Sequence, residues 1–418
     1  MVHCSMWIQP FRLDSVQRDA IRAVLIVMLA TVGIALPSSA DAQNEGRFVS
    51  GPLTWTPVFE LREAGIDSNV FNSSLDPKED KVGTASSHVS SLLTLGLLQA
   101  ATQGSLDYQY FERYKNERGL NRRVSSHVDF PVTRFSPDVT VSWARVKERS
   151  GNEIDVRAPR TDWAYALGIQ TKITSRVAVT ATGGRQKSTY ERGFTFRGVE
   201  IAKQLDRETV LGSVLTRITL TPLTSLTLDT SVGRDRFPFR PDAATDNIRG
   251  NIGLDFAPDA VIRGRASIGY HSMRPLHADV SNPAAVAFGG ITSATELGYT
   301  LLGVTRFNGR FSRDSSYSIS TSQPIYVSTA GGLDILQTLF GPLDLNIRAS
   351  REQLKYRETK LAAGHRDLAD SLGGGLSMRI GSGAVVALIY DNTERRSTAG
   401  RDFEYQRRRI YTTVTYGF

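Results

Sequence analysis

Polar and apolar side chains alternate with a period of two along almost the whole chain, and this pattern constrains the fold more than any other feature. Residues 226–232 place Leu226, Leu228, Thr230 and Val232 on one face and Thr227, Asp229 and Ser231 on the other. Residues 343–350 set Leu343, Leu345, Ile347 and Ala349 against Asp344, Asn346, Arg348 and Ser350. Trp163, Tyr165, Leu167, Ile169 and Ile173 oppose Gly168, Gln170 and Lys172, and Ile248, Ile252, Leu254 and Phe256 oppose Arg249, Asn251 and Asp255. Successive side chains of a strand point to opposite faces, so each segment has one apolar and one polar face. No amphipathic helix stands out after residue 43.

The chain contains one apolar run long enough to be an address, Ala23 to Leu36, preceded by Arg18 and Arg22 and broken by Pro37-Ser38-Ser39. Ala40-Asp41-Ala42 then supplies a small-x-small cleavage site. The run is short for a membrane span of roughly 20 residues. It predicts a cleaved signal peptide over 1–42, with Ala40 and Ala42 at the cleavage site. Cleavage removes three arginines (Arg12, Arg18, Arg22) and three aspartates (Asp14, Asp19, Asp41), so the net charge stays at +8. It also removes Cys4, the only cysteine, which suits export to an oxidising compartment.

Alternation also occurs in soluble sandwiches, so connection lengths matter. Tight turns are expected at Thr102-Gln103-Gly104, Ser136-Pro137-Asp138, Thr174-Ser175-Arg176, Pro222-Leu223-Thr224, Ala257-Pro258-Asp259, Gly341-Pro342 and Gly381-Ser382-Gly383. Longer polar loops intervene, at residues 116–121, 151–160, 193–206, 240–246 and 275–290. Short turns at one end and long loops at the other are the pattern of an outer-membrane barrel. The reading is therefore all-β: a transmembrane antiparallel up-and-down barrel over 55–418, after a short periplasmic lead at 43–54, with about eighteen strands and sixteen as the alternative. The alternative turns on residues 309–321, polar on both faces.

The chain ends Ile-Tyr-Thr-Thr-Val-Thr-Tyr-Gly-Phe, with Ile410, Thr412, Val414, Tyr416 and Phe418 on one face. This resembles the C-terminal assembly signal of bacterial outer-membrane proteins. Residues Gly65, Ile66, Asp67, Ser68, Asn69, Val70 and Phe71, followed by Asp76, Glu79 and Asp80, resemble the opening hairpin of outer-membrane β-barrel porins of the type found near exopolysaccharide genes. The resemblance implies a Gram-negative outer-membrane location and a porin, or else a non-catalytic accessory of exopolysaccharide export. Implied partners are the barrel-assembly machinery, membrane lipid, lipopolysaccharide and, for the accessory, polysaccharide-export components. Asp67-Ser68-Asn69 reads as a turn that bonds local backbone. A cation site of Asp67, Asn69, Asp76 and Asp80 is the other reading, without supporting ligand spacing.

Parity assigns Lys172, Arg217, Arg249, Arg263, Arg265, Arg348, Arg379 and Arg409 to a basic lumen face, against Asp107, Asp229, Asp255 and Asp344. A basic surplus predicts preference for small polar or anionic solutes; full ion pairing would abolish it. Arg395, Arg396, Arg407, Arg408 and Arg409 are expected near the outer rim, within reach of lipopolysaccharide phosphates. Aromatics such as Trp55, Trp143 and Trp163 read as interface girdles, and Tyr411 as a lumen aromatic able to stack on a sugar. No catalytic role, cofactor, metal or nucleic-acid partner is expected. Ser125, His127 and Asp129 share a face but are of types common on polar barrel walls. Gly373-Gly374-Gly375 lies inside an alternating strand and reads as a bend or close-packing point rather than a phosphate loop.

Overall fold

The computed structural model describes residues 47–276, 287–381 and 383–417. The cleavage-site residues, Phe418 and most of the 275–290 loop lie outside the described residues. Eighteen antiparallel strands form one closed barrel. They are β1 (Leu53–Asp67), β2 (Asp80–Leu95), β3 (Leu98–Phe111), β4 (Gly119–Asp129), β5 (Phe135–Arg149), β6 (Arg157–Lys172), β7 (Val177–Tyr190), β8 (Arg207–Thr221) and β9 (Thr224–Arg236). The ring continues with β10 (Thr245–Phe256), β11 (Ile262–Pro275), β12 (Phe288–Leu301), β13 (Thr305–Tyr317), β14 (Ile325–Phe340), β15 (Leu343–Tyr356), β16 (Arg366–Ile380), β17 (Ala384–Ser397) and β18 (Tyr405–Gly417). A short strand, Phe48–Ser50, folds back on the start of β1. The polar stretch 309–321 contributes to β13, which pairs along its length with β14; the count is eighteen, not sixteen.

The faces follow the sequence pattern. Leu228, Val232, Ile248, Ile252, Ile268 and Tyr270 are all exposed on the outside. In lipid this outward row is solvated, whereas the polar row faces the lumen. Cross-strand partners share a face, so register carries the pattern around the ring: Leu228 faces Ile252, which faces Ile268.

Two expected turns are displaced. Thr102, Gln103 and Gly104 lie inside β3, and the connection before it is Gly96-Leu97, with Gly96 at φ 59. Ser136, Pro137 and Asp138 lie at the start of β5, after the connection at 130–134. Gly104 and Pro137 imitate turn signals, but a single Gly or a strand-start Pro is tolerated in a ladder. Gly341 and Gly381, by contrast, take positive φ (54 and 61) at their turns, as expected there.

Closure is made by β1 against β18, in register from Val58↔Gly417 to Asp67↔Arg409. The register shifts between Leu61 and Ala64, where Glu63 has φ 54. Gly65 faces Tyr411 at this seam, and a Cβ there would run into the Ile410 carbonyl oxygen and the Tyr411 backbone. Gly65→Val should therefore cost about 3 kcal/mol through overpacking of backbone that cannot retreat. Gly250→Ala, whose new Cβ meets nothing within 4 Å, should be neutral. Denaturant titration of the heat-modifiable folded form checks both; equal stability of the two variants would remove the seam's special role.

Candidate functional site: a looped-over lumen with paired arginines

Residues 150–156 connect β5 to β6 and turn into the barrel rather than away from it. Asn152 donates to Glu352 on β15, and Arg395 on β17 donates to Asp155 (3.3 Å). Glu153 accepts from the Ser318 hydroxyl and from Ile319 N (3.2 Å), in the β13–β14 loop. These partners lie eight to twelve strands further along an eighteen-strand ring, which is its opposite wall. The loop therefore crosses the lumen. Ile154 within it is fully buried, in an apolar cluster with Ile201, Ala202, Tyr190 and Ile319. The helix Ile201–Leu205 in the β7–β8 loop thus helps pack the outer mouth.

The crossing loop is rooted in the seam. Val70, fully buried, offers its carbonyl to Arg149 (2.6 Å) and Arg157 (3.1 Å), which flank the loop. The Asp67-Ser68-Asn69 motif clasps β1 to β18. Asp67 takes a double hydrogen bond from Arg407. Ser68 exchanges hydrogen bonds with the Arg408 backbone (3.0 and 2.9 Å), and Asn69 donates to Gln406 O (3.1 Å). The suggested cation site is not assembled. Asp80 accepts from the backbone of Arg113 and Tyr114, Asp76 pairs with Lys78 at 2.7 Å, and no group of three potential ligands occurs among the described residues.

The lumen residues named from parity sit opposite the exposed apolar rows, and register gives most of them partners. Arg217 pairs with Asp255 (2.9 Å), Arg249 with Asp314 (2.8 Å), Arg379 with Asp344 (3.6 Å), and Arg409 with Glu63 (3.0 Å) and Asp391 (3.1 Å). Asp107 joins Arg62 (2.7 Å) and Arg123 (2.8 Å), and Asp229 accepts from Asn251 (3.2 Å). Among the described residues Arg263 reaches only Thr300 (3.4 Å). Arg265 stands beside Glu296 in register, beyond ion-pair distance, and Arg348 has a buried Nε without a partner. Lys172 ends β6, at the short-turn end.

The sequence reading named four acids of this wall and missed five more. Asp162, Asp314, Asp334, Asp367 and Asp391 each bind an arginine. Of the five arginines expected at the outer rim, Arg395 and Arg407 instead point inward, and Arg409 does so as parity assigned it; Arg395 is buried between Asp155 and Asp367. Tyr411 is buried with its hydroxyl donated to Asp391 (2.6 Å), so it offers no face to a sugar. His127 bonds Thr140 (2.9 Å) on the neighbouring strand rather than Ser125.

Several chambers open in the lumen among the described residues. One of about 1000 Å³ lies against the β2–β8 wall, and one of about 470 Å³ lies across the loop, beside Glu352 and Arg407. A third, of about 880 Å³, opens among the short turns and is lined by Arg217, Arg263, Arg265 and Arg310.

A closed barrel with an apolar exterior, a polar interior and an inward loop defines an outer-membrane protein of the porin class. The chain belongs to the family described as "Putative beta-barrel porin 2", whose model matches residues 49–418. Solved structures of like fold include Pseudomonas aeruginosa OccK9 (OpdG), with TM-score 0.50 and 11% identity, covering 87% of this chain and 98% of that one. Pseudomonas aeruginosa OpdK, crystallised with vanillate, gives the same four values. A BenF-like porin from Pseudomonas fluorescens has TM-score 0.49 and 10% identity, covering 88% and 99%. At such identity the likeness shows the fold alone. No curated protein sequence matches the chain.

Glu153 makes the crossing loop pH-sensitive. Burial pushes its carboxyl up to about 7, although Ser318 and Ile319 donate to it; the ordinary value is 4.5. The docked loop thus holds a proton that a released loop gives up between those values. Docking is strongest below the lower value and weakens as pH rises through the upper one. The loss is capped at about 3 kcal/mol. Limited proteolysis within 150–156 should be faster at pH 8 than at pH 5, and Glu153→Gln should hold the slow rate at both. A pH-independent rate in the unmodified chain would contradict this.

Proposed function

We propose that the chain is a passive channel for small polar solutes, with a preference for anions. The observation that carries the reading is the imbalance in the 880 Å³ chamber at the short-turn end. Its Arg217 is taken by Asp255 and its Arg310 by Asp334, at 2.9 and 2.7 Å. Arg263 and Arg265 then face a single unpaired carboxylate, Glu296. Paired charges contribute dipoles with short reach, whereas an unpaired charge in a low-dielectric mouth raises the local concentration of its counter-ion. Selectivity then depends on the few unpaired groups and not on the total number of arginines.

The crossing loop supports a narrow channel rather than an open bore. It does not favour a role in exopolysaccharide export, since a polymer would have to displace the whole hydrogen-bonded loop.

Single-channel recording in a planar bilayer with a potassium chloride gradient tests the reading. Discrete steps and a reversal potential on the anion side are expected. Arg263→Gln with Arg265→Gln should lower the anion-to-cation permeability ratio by roughly twofold or more while the barrel still folds. Vanillate, an organic anion, is a suitable second probe. Cation preference in the unmodified channel would sink the anion reading, and silence from a folded barrel would sink the channel reading itself.

A further inference from the structure

The outward face of the outer end also carries basic residues, and some of them are neutralised in place. Lys81 pairs with Glu112 (3.3 Å), Arg185 with Glu208, Arg234 with Asp246 (2.7 Å), and Arg351 and Arg396 both bind Asp370 (2.5 and 2.6 Å). Others, such as Arg236, Arg274, Lys355, Arg366 and Arg408, have no carboxylate partner among the described residues, and one such stretch stands beside two tryptophans. Arg122 on β4 stands directly opposite Arg145 on β5 in the ladder. Both share the face of exposed Leu120 and Val139, opposite buried Asn121 and Val146. Arg122 has no carboxylate partner among the described residues, and Arg145 has only a loose contact to Glu191 (3.9 Å). Like charges directly opposite on one face destabilise a sheet. An anion between them would reverse that sign.

The rows around this pair are well defined by register. The Arg122–Arg145 row continues through Thr161 to Thr189, which places two hydroxyl groups at the same height. The row below runs Val124, Trp143, Trp163 and Lys187, with the indoles 6.2 Å apart. Indoles prefer the headgroup boundary of a bilayer. The arginine pair therefore sits just outside that boundary, at phosphate level. Lys187 lies two strands beyond Arg145, roughly 10 Å across the sheet, which is the scale of a disaccharide.

We propose that this outward patch, Arg122, Arg145 and Lys187 above Trp143 and Trp163, binds the phosphorylated disaccharide headgroup of lipid A in the outer leaflet. The arginine pair takes one phosphate. Lys187 takes the other, and the two threonines donate to the sugar–phosphate oxygens between them. The site faces lipid, so it is independent of the channel function proposed for the lumen.

Native mass spectrometry of the detergent-solubilised barrel tests this with three probes: bisphosphorylated lipid A, lipid A lacking both phosphates, and phosphatidylglycerol. The bisphosphorylated lipid should bind at least about tenfold more tightly than either of the others. Arg122→Gln with Arg145→Gln should remove that advantage. Arg122→Lys with Arg145→Lys should keep most of it, and Arg234→Gln, in a paired part of the rim, should leave it unchanged. Heat-modifiable migration verifies that each variant is folded. Equal binding of phosphorylated and dephosphorylated lipid A by the unmodified barrel would overturn the proposal without any variant. So would phosphatidylglycerol binding as well as lipid A, or a folded glutamine variant that binds like the original.

Discussion

The structure depends on joining its first strand to its last. In hydrocarbon an unpaired backbone N–H or C=O costs several kcal/mol, so a barrel with an open edge does not persist. The β1–β18 seam carries that burden, and its sequence is shaped for it. Gly65 removes a side chain where Tyr411 comes close, and the shift between Leu61 and Ala64 re-aims the strand below the clasp. Asp67, Ser68 and Asn69 then fix β18 through Arg407, Arg408 and Gln406. Val70, the next residue, anchors both arginines that flank the crossing loop. Closure of the wall and obstruction of the bore are thus one connected set of contacts, spanning residues far apart in sequence.

Inside that wall, charge is arranged in pairs. Exposed pairs of this kind contribute only about 0–1 kcal/mol each. Buried ones behave differently. Removing Arg395, wedged between Asp155 and Asp367, would leave both carboxylates without their buried cation, at a cost of about 3–5 kcal/mol. The pairs therefore act less as a source of overall stability than as a means of holding loop and wall in one arrangement. Most of the lumen's arginines are engaged in that role, so net charge is a poor guide to the field that a solute meets.

Much of the architecture was legible in the chain because strand parity is a local property. Leu226 to Val232 and Leu343 to Ser350 could be oriented from a few neighbours, and the barrel class followed from repeating that exercise. Connections were legible only where the turn chemistry was unambiguous. Gly96, set among leucines, was less conspicuous than Gly104, yet the chain reverses at Gly96. The lumen was half legible. Parity placed Arg217 and Asp255 on the polar face, but their pairing needs the registers of β8, β9 and β10 together. The crossing loop was illegible, since Asn152, Glu153 and Asp155 find their partners 165 to 240 residues away. The Asp67 motif was visible as a resemblance, but its role required knowing what stands on β18.

The same alternation explains how one run of arginines serves two solvents. In the stretch Arg395-Arg396, the first residue enters the buried Asp367 pair and the second emerges to the exposed Asp370 pair. In Arg407-Arg408-Arg409, the outer two turn inward to Asp67 and Asp391. A cluster that looks like one basic patch in sequence is therefore split between lumen and membrane surface. The converse also holds: Arg122 and Arg145, twenty-three positions apart and unremarkable in sequence, become a single outward pair once β4 and β5 are in register. In a barrel, charge density along the chain carries little information about charge density on either face. Register converts one into the other, and it is the register of β4 through β7 that gathers the unpaired outward charge beside the two tryptophans.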